Sequence, residues 1–123
     1  MNSFLAVFIG GGLGSSARFF FSRFIHHYYS GGFPFGILTV NVLSCFILGL
    51  LSGQARSISG NSILSQLLIT GFCGGFSTFS AFTYDSLEMI RLGNYGMAAL
   101  NILGSLVLCL LSLIAGFFFS TKF

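Results

Sequence analysis

Four long apolar stretches separated by short polar breaks make up almost the whole chain. They run over about 4–25, 35–54, 63–90 and 95–119, and each reaches the roughly 20 apolar residues that a bilayer-crossing helix needs. The breaks carry turn chemistry: Ser30-Gly31-Gly32 with Pro34, the stretch 57–61, and Gly93-Asn94. The pattern predicts an all-α membrane protein, a single four-helix transmembrane domain over 1–123. No room remains for a soluble domain, and no internal repeat is visible. The third stretch is longer than a straight span needs, as suits a tilted or interrupted helix.

Polar residues inside these stretches sharpen the picture. Residues 71–82 read Gly-Phe-Cys-Gly-Gly-Phe-Ser-Thr-Phe-Ser-Ala-Phe. A glycine pair followed by Ser77, Thr78 and Ser80 is a place where a helix can open. Non-helical backbone at membrane depth is tolerated only where protein buries it or where it lines a cavity. Opened carbonyls and hydroxyls are how such proteins build ion sites. The segment therefore predicts a third helix broken at mid-membrane and an ion pathway beside it.

Arg18 lies within the first span, where it either attracts an anion or snorkels to the interface. Asn41 lies within the second and faces a pore or joins helices. Asn101, Ser105, Cys109 and Ser112 share one face of the fourth helix. That stripe reads as a wet track or as hydroxyls bonded back to their own helix. Asp85 and Glu88 are the only acids in the chain, and Glu88 can pair with Arg91 one turn on. Most of the glycines read as packing positions, within or between subunits. His26 and His27 read as interface residues of the first connector.

Composition excludes a soluble domain. The chain is 54% hydrophobic and 6% charged, against about 25% charged in soluble proteins. Its net charge of +3 is dispersed, so there is no basic face for nucleic acid. The N-terminus lacks the basic region of a cleavable signal. Cys45, Cys73 and Cys109 fall in apolar spans with no metal-type spacing and read as small buried apolar residues. There is no paired-acid site, no nucleophile with a histidine base and no phosphate loop, so no enzyme is expected.

Lys and Arg barely distinguish the two sides of the membrane. Arg56 and Lys122 share one side; Arg23 and Arg91, with Arg18 if it snorkels, share the other. Orientation normally follows this bias. A chain without it can insert both ways and assemble as an antiparallel dimer, and the alternative is one orientation set by other factors. Among the 17 phenylalanines, Phe79 and Phe82 are bracketed by hydroxyls directly after the glycine break. Ring edges are positive. Aimed inward, they could contact a small anion without trapping it; ordinary packing is the commoner role.

These residues together resemble the Fluc (CrcB) family of bacterial fluoride channels over essentially the whole chain. Gly10-Gly11-Gly12-Leu13-Gly14-Ser15-Ser16-Ala17-Arg18 looks like its first-helix motif. Gly36 through Asn41 with Gly49 looks like its second-helix motif, and residues 71–82 look like its third-helix signature. The resemblance implies a passive, fluoride-selective channel that exports fluoride across the bacterial cytoplasmic (inner) membrane and relieves its toxicity. It implies a dual-topology homodimer with two pathways, and no soluble protein partner. It also implies a structural sodium ion at the dimer centre, held by the backbone carbonyls of Gly74 and Ser77 from each subunit.

Pore roles carry over to Phe79 and Phe82, with Ser80 between them, and to Asn41, Ser105 and Arg18. Cys109 and Ser112 correspond less closely. Ala81 and Ile37 stand where the family usually has threonine, and Ser77 also replaces a threonine. Two rival readings stay in view. A dual-topology exporter of cationic drugs would need an acid in the membrane, and the first span carries Arg18 instead. A membrane assembly subunit would transport nothing when purified.

Overall fold

The computed structural model describes residues 2–54 and 62–122. Asn2 opens α1 (Ser3–Tyr28), its side chain accepting the Leu5 amide at 3.2 Å; Asn is among the strongest N-cap residues. α1 ends at Tyr28, so His26 and His27, expected in the connector, sit in its last turn. Basic groups are favoured there by the carbonyl end of the helix dipole. Pro34 precedes α2 (Phe35–Gly53), since a residue without an N–H is tolerated where the first amides have no helical partner. Arg56 and the break at 57–61 lie outside the described residues.

The third span, Ser62–Arg91, is composite. It consists of α3 (Ser62–Ser65), a π-helical stretch (Gln66–Cys73), α4 (Gly74–Phe76) and α5 (Phe79–Arg91). Ser77 (φ −81°, ψ 159°) and Thr78 (φ −150°, ψ 115°) are extended and separate α4 from α5. The hydroxyl of Thr78 then caps α5 by accepting the Ala81 amide at 3.2 Å. Gly93 (φ 77°) ends α5. Its amide bonds the Ile90 carbonyl while the Asn94 amide bonds the Met89 carbonyl, the paired arrangement that a left-handed glycine permits. α6 (Tyr95–Thr121) completes the chain.

Among the described residues four helices are long and apolar enough to cross a membrane, and there is no strand. In α6 only 11% of the most apolar window is buried, so these side chains need lipid or another protein around them.

Glycines set how closely the helices approach. α1 lies on the first arm of the third span. A Cβ at Gly10 would fall on the Leu67 carbonyl oxygen, and one at Gly14 on the Phe72 carbonyl oxygen. α2 lies along α6 in the same manner. A Cβ at Gly49 would meet the Leu113 carbonyl, one at Gly53 would stand 2.9 Å from the Phe117 carbonyl, and one at Gly116 would meet the Phe46 carbonyl. Gly10 and Gly14, like Gly49 and Gly53, are one turn apart, the small-residue spacing that substitutes for a hydrophobic drive in lipid. The core between the two helix pairs is partly polar. Ser44, Thr78, Ser86, Asn101 and Ser105 are buried beside Val40, Phe76 and Phe82.

Candidate functional site

The interruption at Ser77–Thr78 is held by its neighbours. An extended pair of residues in an apolar protein leaves backbone groups without helical partners, and each needs another one. Thr78 is clamped by Asn41 of α2. Its amide donates to Asn41 Oδ1 at 2.8 Å, and its carbonyl accepts from Asn41 Nδ2 at 3.2 Å. The Ser77 carbonyl accepts from Arg18 Nη1 of α1 at 3.1 Å. Ser77's own amide and hydroxyl both donate to the Cys73 carbonyl, which also accepts from Ser44. The Gly74 carbonyl would ordinarily receive the Thr78 amide; that amide is spent on Asn41. Gly74 is exposed, and a Cβ there would meet nothing within 4 Å.

A cavity of about 230 Å³ lies against this interruption. α2 supplies Asn41 and Cys45, and α6 supplies Ser105, Leu106 and Cys109. The interruption and the start of α5 supply Ser77, Thr78, Phe79 and Phe82. The two rings stand 5.5 Å apart at 44°. Phe82 is buried at 9% exposure, whereas Phe79 is 75% exposed and leaves one side of the cavity open. No charged side chain lines it among the described residues. The N-terminus of α5 opens into it. First-turn amides lack helical acceptors, and the dipole places partial positive charge there.

Of the residues expected along the path, Asn41, Phe79, Phe82 and Ser105 line this cavity together. Arg18 and Ser80 do not. Arg18 lies behind the interruption on the Ser77 carbonyl, and Ser80 Oγ pairs with Thr78 Oγ1 at 3.2 Å. The polar stripe of α6 divides. Ser105 and Cys109 face the cavity, while Ser112 donates to the Val42 carbonyl at 2.9 Å. Asn101 is buried and donates to Ser86 Oγ at 3.0 Å; Ser86 in turn donates to the Phe82 carbonyl at 2.8 Å. That chain ties the Phe82 backbone to α6. Asn101 Oδ1 also accepts from Ser105 at 3.4 Å.

Sequence reading missed Cys45 as a lining residue, because an apolar-span cysteine looks like packing. It also missed Ser86, which shares a face with Phe82 one turn earlier and so had a spacing signal.

A larger recess of about 470 Å³ lies at the far end of α1 and takes in Arg23, His26, Asp85 and Glu88. Its walls carry both signs of charge. The expected path residues converge on the smaller cavity, which is the better candidate. Glu88 is paired with Arg91 at 2.8 Å, as the spacing anticipated; Asp85 makes no ion pair among the described residues.

Residues 5–117 match the family model described as "CrcB-like protein, Camphor Resistance (CrcB)". Curated relatives are similar over nearly their full lengths. A "Fluoride-specific ion channel FluC" of Opitutus terrae is 39% identical over 94% of this chain and 90% of its own. The protein of that name from Phocaeicola vulgatus is 36% identical over 98% and 99%. That from Campylobacter jejuni is 38% identical over 95% and 96%.

Proposed function

The chain belongs to the CrcB family, and from that membership together with the cavity at Ser77–Thr78 we propose that it is a passive, fluoride-selective ion channel. It is a multi-pass membrane protein and not an enzyme. The observation that carries the reading is the convergence of Asn41, Phe79, Phe82 and Ser105 on one cavity at the head of α5.

Where fluoride meets the cavity wall it exchanges hydration water for lining groups, each of which replaces part of that hydration. The ring edges of Phe79 and Phe82 are positive, and the amides at the start of α5 point their dipole toward the anion. Asn41 has spent one amide proton on Thr78 and keeps a second. None of these is a full charge, so the ion binds and escapes, as conduction requires. Arg18 adds a positive field from behind the Ser77 carbonyl without touching the path.

The working unit is an antiparallel, dual-topology homodimer in the bacterial inner membrane. What supports it is the open side at Phe79, which a second copy would close, and the near-even Lys/Arg count across the membrane. In that dimer the interruption lies at mid-membrane, each subunit contributes to two pathways, and the Gly74 and Ser77 carbonyls hold a structural sodium. The donor set fits a hard cation: the Gly74 carbonyl is free of Thr78, and Ser77 keeps a second lone pair beside Arg18. Sodium there would draw the two interruptions together. Its role is to hold subunits, and no ion step passes through it.

Fluoride enters cells as the neutral acid when the surroundings are acidic and dissociates inside. A channel lets the anion follow the membrane potential outward and relieves its toxicity. Fluoride efflux from liposomes containing the purified protein, with chloride as the comparison ion, tests the function. Equal chloride efflux, or none of either ion, would overturn it.

A further inference from the structure

The register of α2 against α6 places two thiols face to face. Gly49 packs on the Leu113 carbonyl and Gly53 on the Phe117 carbonyl. One turn earlier on both helices the same register brings Cys45 opposite Cys109. Both are half-buried, and both line the cavity beside Phe82 and Ser105. Cys73 is buried on the other arm and lines none of it.

We propose that Cys45 and Cys109 form a two-thiol site for a soft, two-coordinate cation of the Hg(II) or Ag(I) class, seated in the wall of the cavity. Thiolate sulfur is the ligand that selects soft cations. A zinc-type centre needs four ligands, and no group of three or more His, Cys, Asp or Glu placed to hold a metal ion exists among the described residues. Two convergent sulfurs satisfy a cation that prefers two. With HgCl2, two S–H and two Hg–Cl bonds break, two S–Hg bonds form, and two protons and two chlorides leave to water, with no change of oxidation state. The product is neutral, which suits a wall without charged groups. Such an ion would stand in the fluoride path; that consequence rests on the proposed channel function, whereas the binding does not.

The test uses the purified full chain with HgCl2. The unsubstituted protein should retain one Hg(II) per chain through desalting against a monothiol. Cys45→Ser and Cys109→Ser should each weaken retention roughly 100-fold, the loss of an intramolecular second ligand, while Cys73→Ser should retain the metal. In the unsubstituted protein, Hg(II) should shield the Cys45 and Cys109 peptides from alkylation together, a readout that does not depend on any variant folding. Full retention in either single variant, loss in Cys73→Ser, or shielding of one thiol alone would overturn the site. In liposomes Hg(II) should stop fluoride efflux and leave the Cys45→Ser/Cys109→Ser double variant at its own untreated rate. Binding at both thiols with undiminished efflux would leave the site standing and refute the cavity as the path.

Discussion

Replacing Asn41 by leucine separates two roles that the sequence could not distinguish, ion contact and backbone clamp. The two side chains share one branched heavy-atom skeleton, but leucine is the larger, so the change removes the hydrogen bonds and adds apolar bulk at the site. It strips two bonds from one residue, the Thr78 amide at 2.8 Å and the Thr78 carbonyl at 3.2 Å, which belong to adjacent peptide groups. Thr78 is 8% exposed, so both groups are left nearly dry. Each unsatisfied group costs about 1–3 kcal/mol, giving about 2–6 kcal/mol for the pair. Water entering the adjoining cavity would recover part of this, so the lower half of the range, about 2–4 kcal/mol, is the expected loss. Against a typical total of about 5–15 kcal/mol that is a large fraction. Denaturant titration in detergent measures the loss, and liposome efflux measures the activity. Asn41→Leu should lose both. Unchanged unfolding, within about 0.5 kcal/mol, together with abolished efflux would refute the clamp and leave Asn41 acting on the ion alone.

Phe79→Ile and Phe82→Ile keep apolar bulk and remove the positive ring edge; each should cut fluoride efflux sharply in a protein that stays monodisperse, and full efflux in both would make the rings packing only. Verified removal of sodium should weaken dimer stability by mass action, read by gel filtration alongside efflux; an unchanged dimer would count against sodium's structural role. Gly49→Ala drives a methyl into the Leu113 carbonyl and should destabilise by about 1–3 kcal/mol. Gly104→Ala, with nothing within 4 Å, should be neutral or gain up to about 1 kcal/mol, and equal effects at the two positions would refute the close α2–α6 contact. A single cysteine placed in a loop of a cysteine-free variant should be labelled in about half the copies from each side of a sealed vesicle; labelling from one side only would end the dual-topology reading.

The four spans were legible because membrane helices announce themselves by length and apolarity alone, and Gly93 and Pro34 mark their ends by backbone chemistry. The convergence of Asn41, Phe79, Phe82 and Ser105 was legible through motif resemblance. What their hydrogen bonds do was not. Asn41 looks the same in sequence whether it faces an ion or holds Thr78, because the choice depends on which carbonyl lies across the helix interface. Arg18 illustrates the same limit, since its partner, Ser77, is distant in the chain. The π-helical stretch Gln66–Cys73 left no local signature, as its residues suit an α-helix equally well. Cys45 and Cys109 read as separate small apolar residues until the register of two helices put them together.

The interruption draws a polar partner from every other helix of the chain. α1 reaches the Ser77 carbonyl through Arg18, α2 holds both backbone groups of Thr78 through Asn41, and α6 reaches the Phe82 carbonyl through Asn101 and Ser86. The Arg18 and Asn41 contacts satisfy backbone groups at the interruption that lipid could not, so opening the helix is tolerable only when α1 and α2 are in place, while the Asn101–Ser86 pair ties α5 to α6. The glycine contacts of α1 and α2 are what bring them that close. Positions outside the cavity lining, such as Gly14 and Gly49, are therefore coupled to its geometry through helix spacing. Substitutions at Arg18 and Asn41 should be non-additive with each other, since both bond the peptide that joins Ser77 to Thr78. The rings of Phe79 and Phe82 owe their placement to this arrangement: their backbone begins where the clamped residues end, with Thr78 capping the helix that carries them.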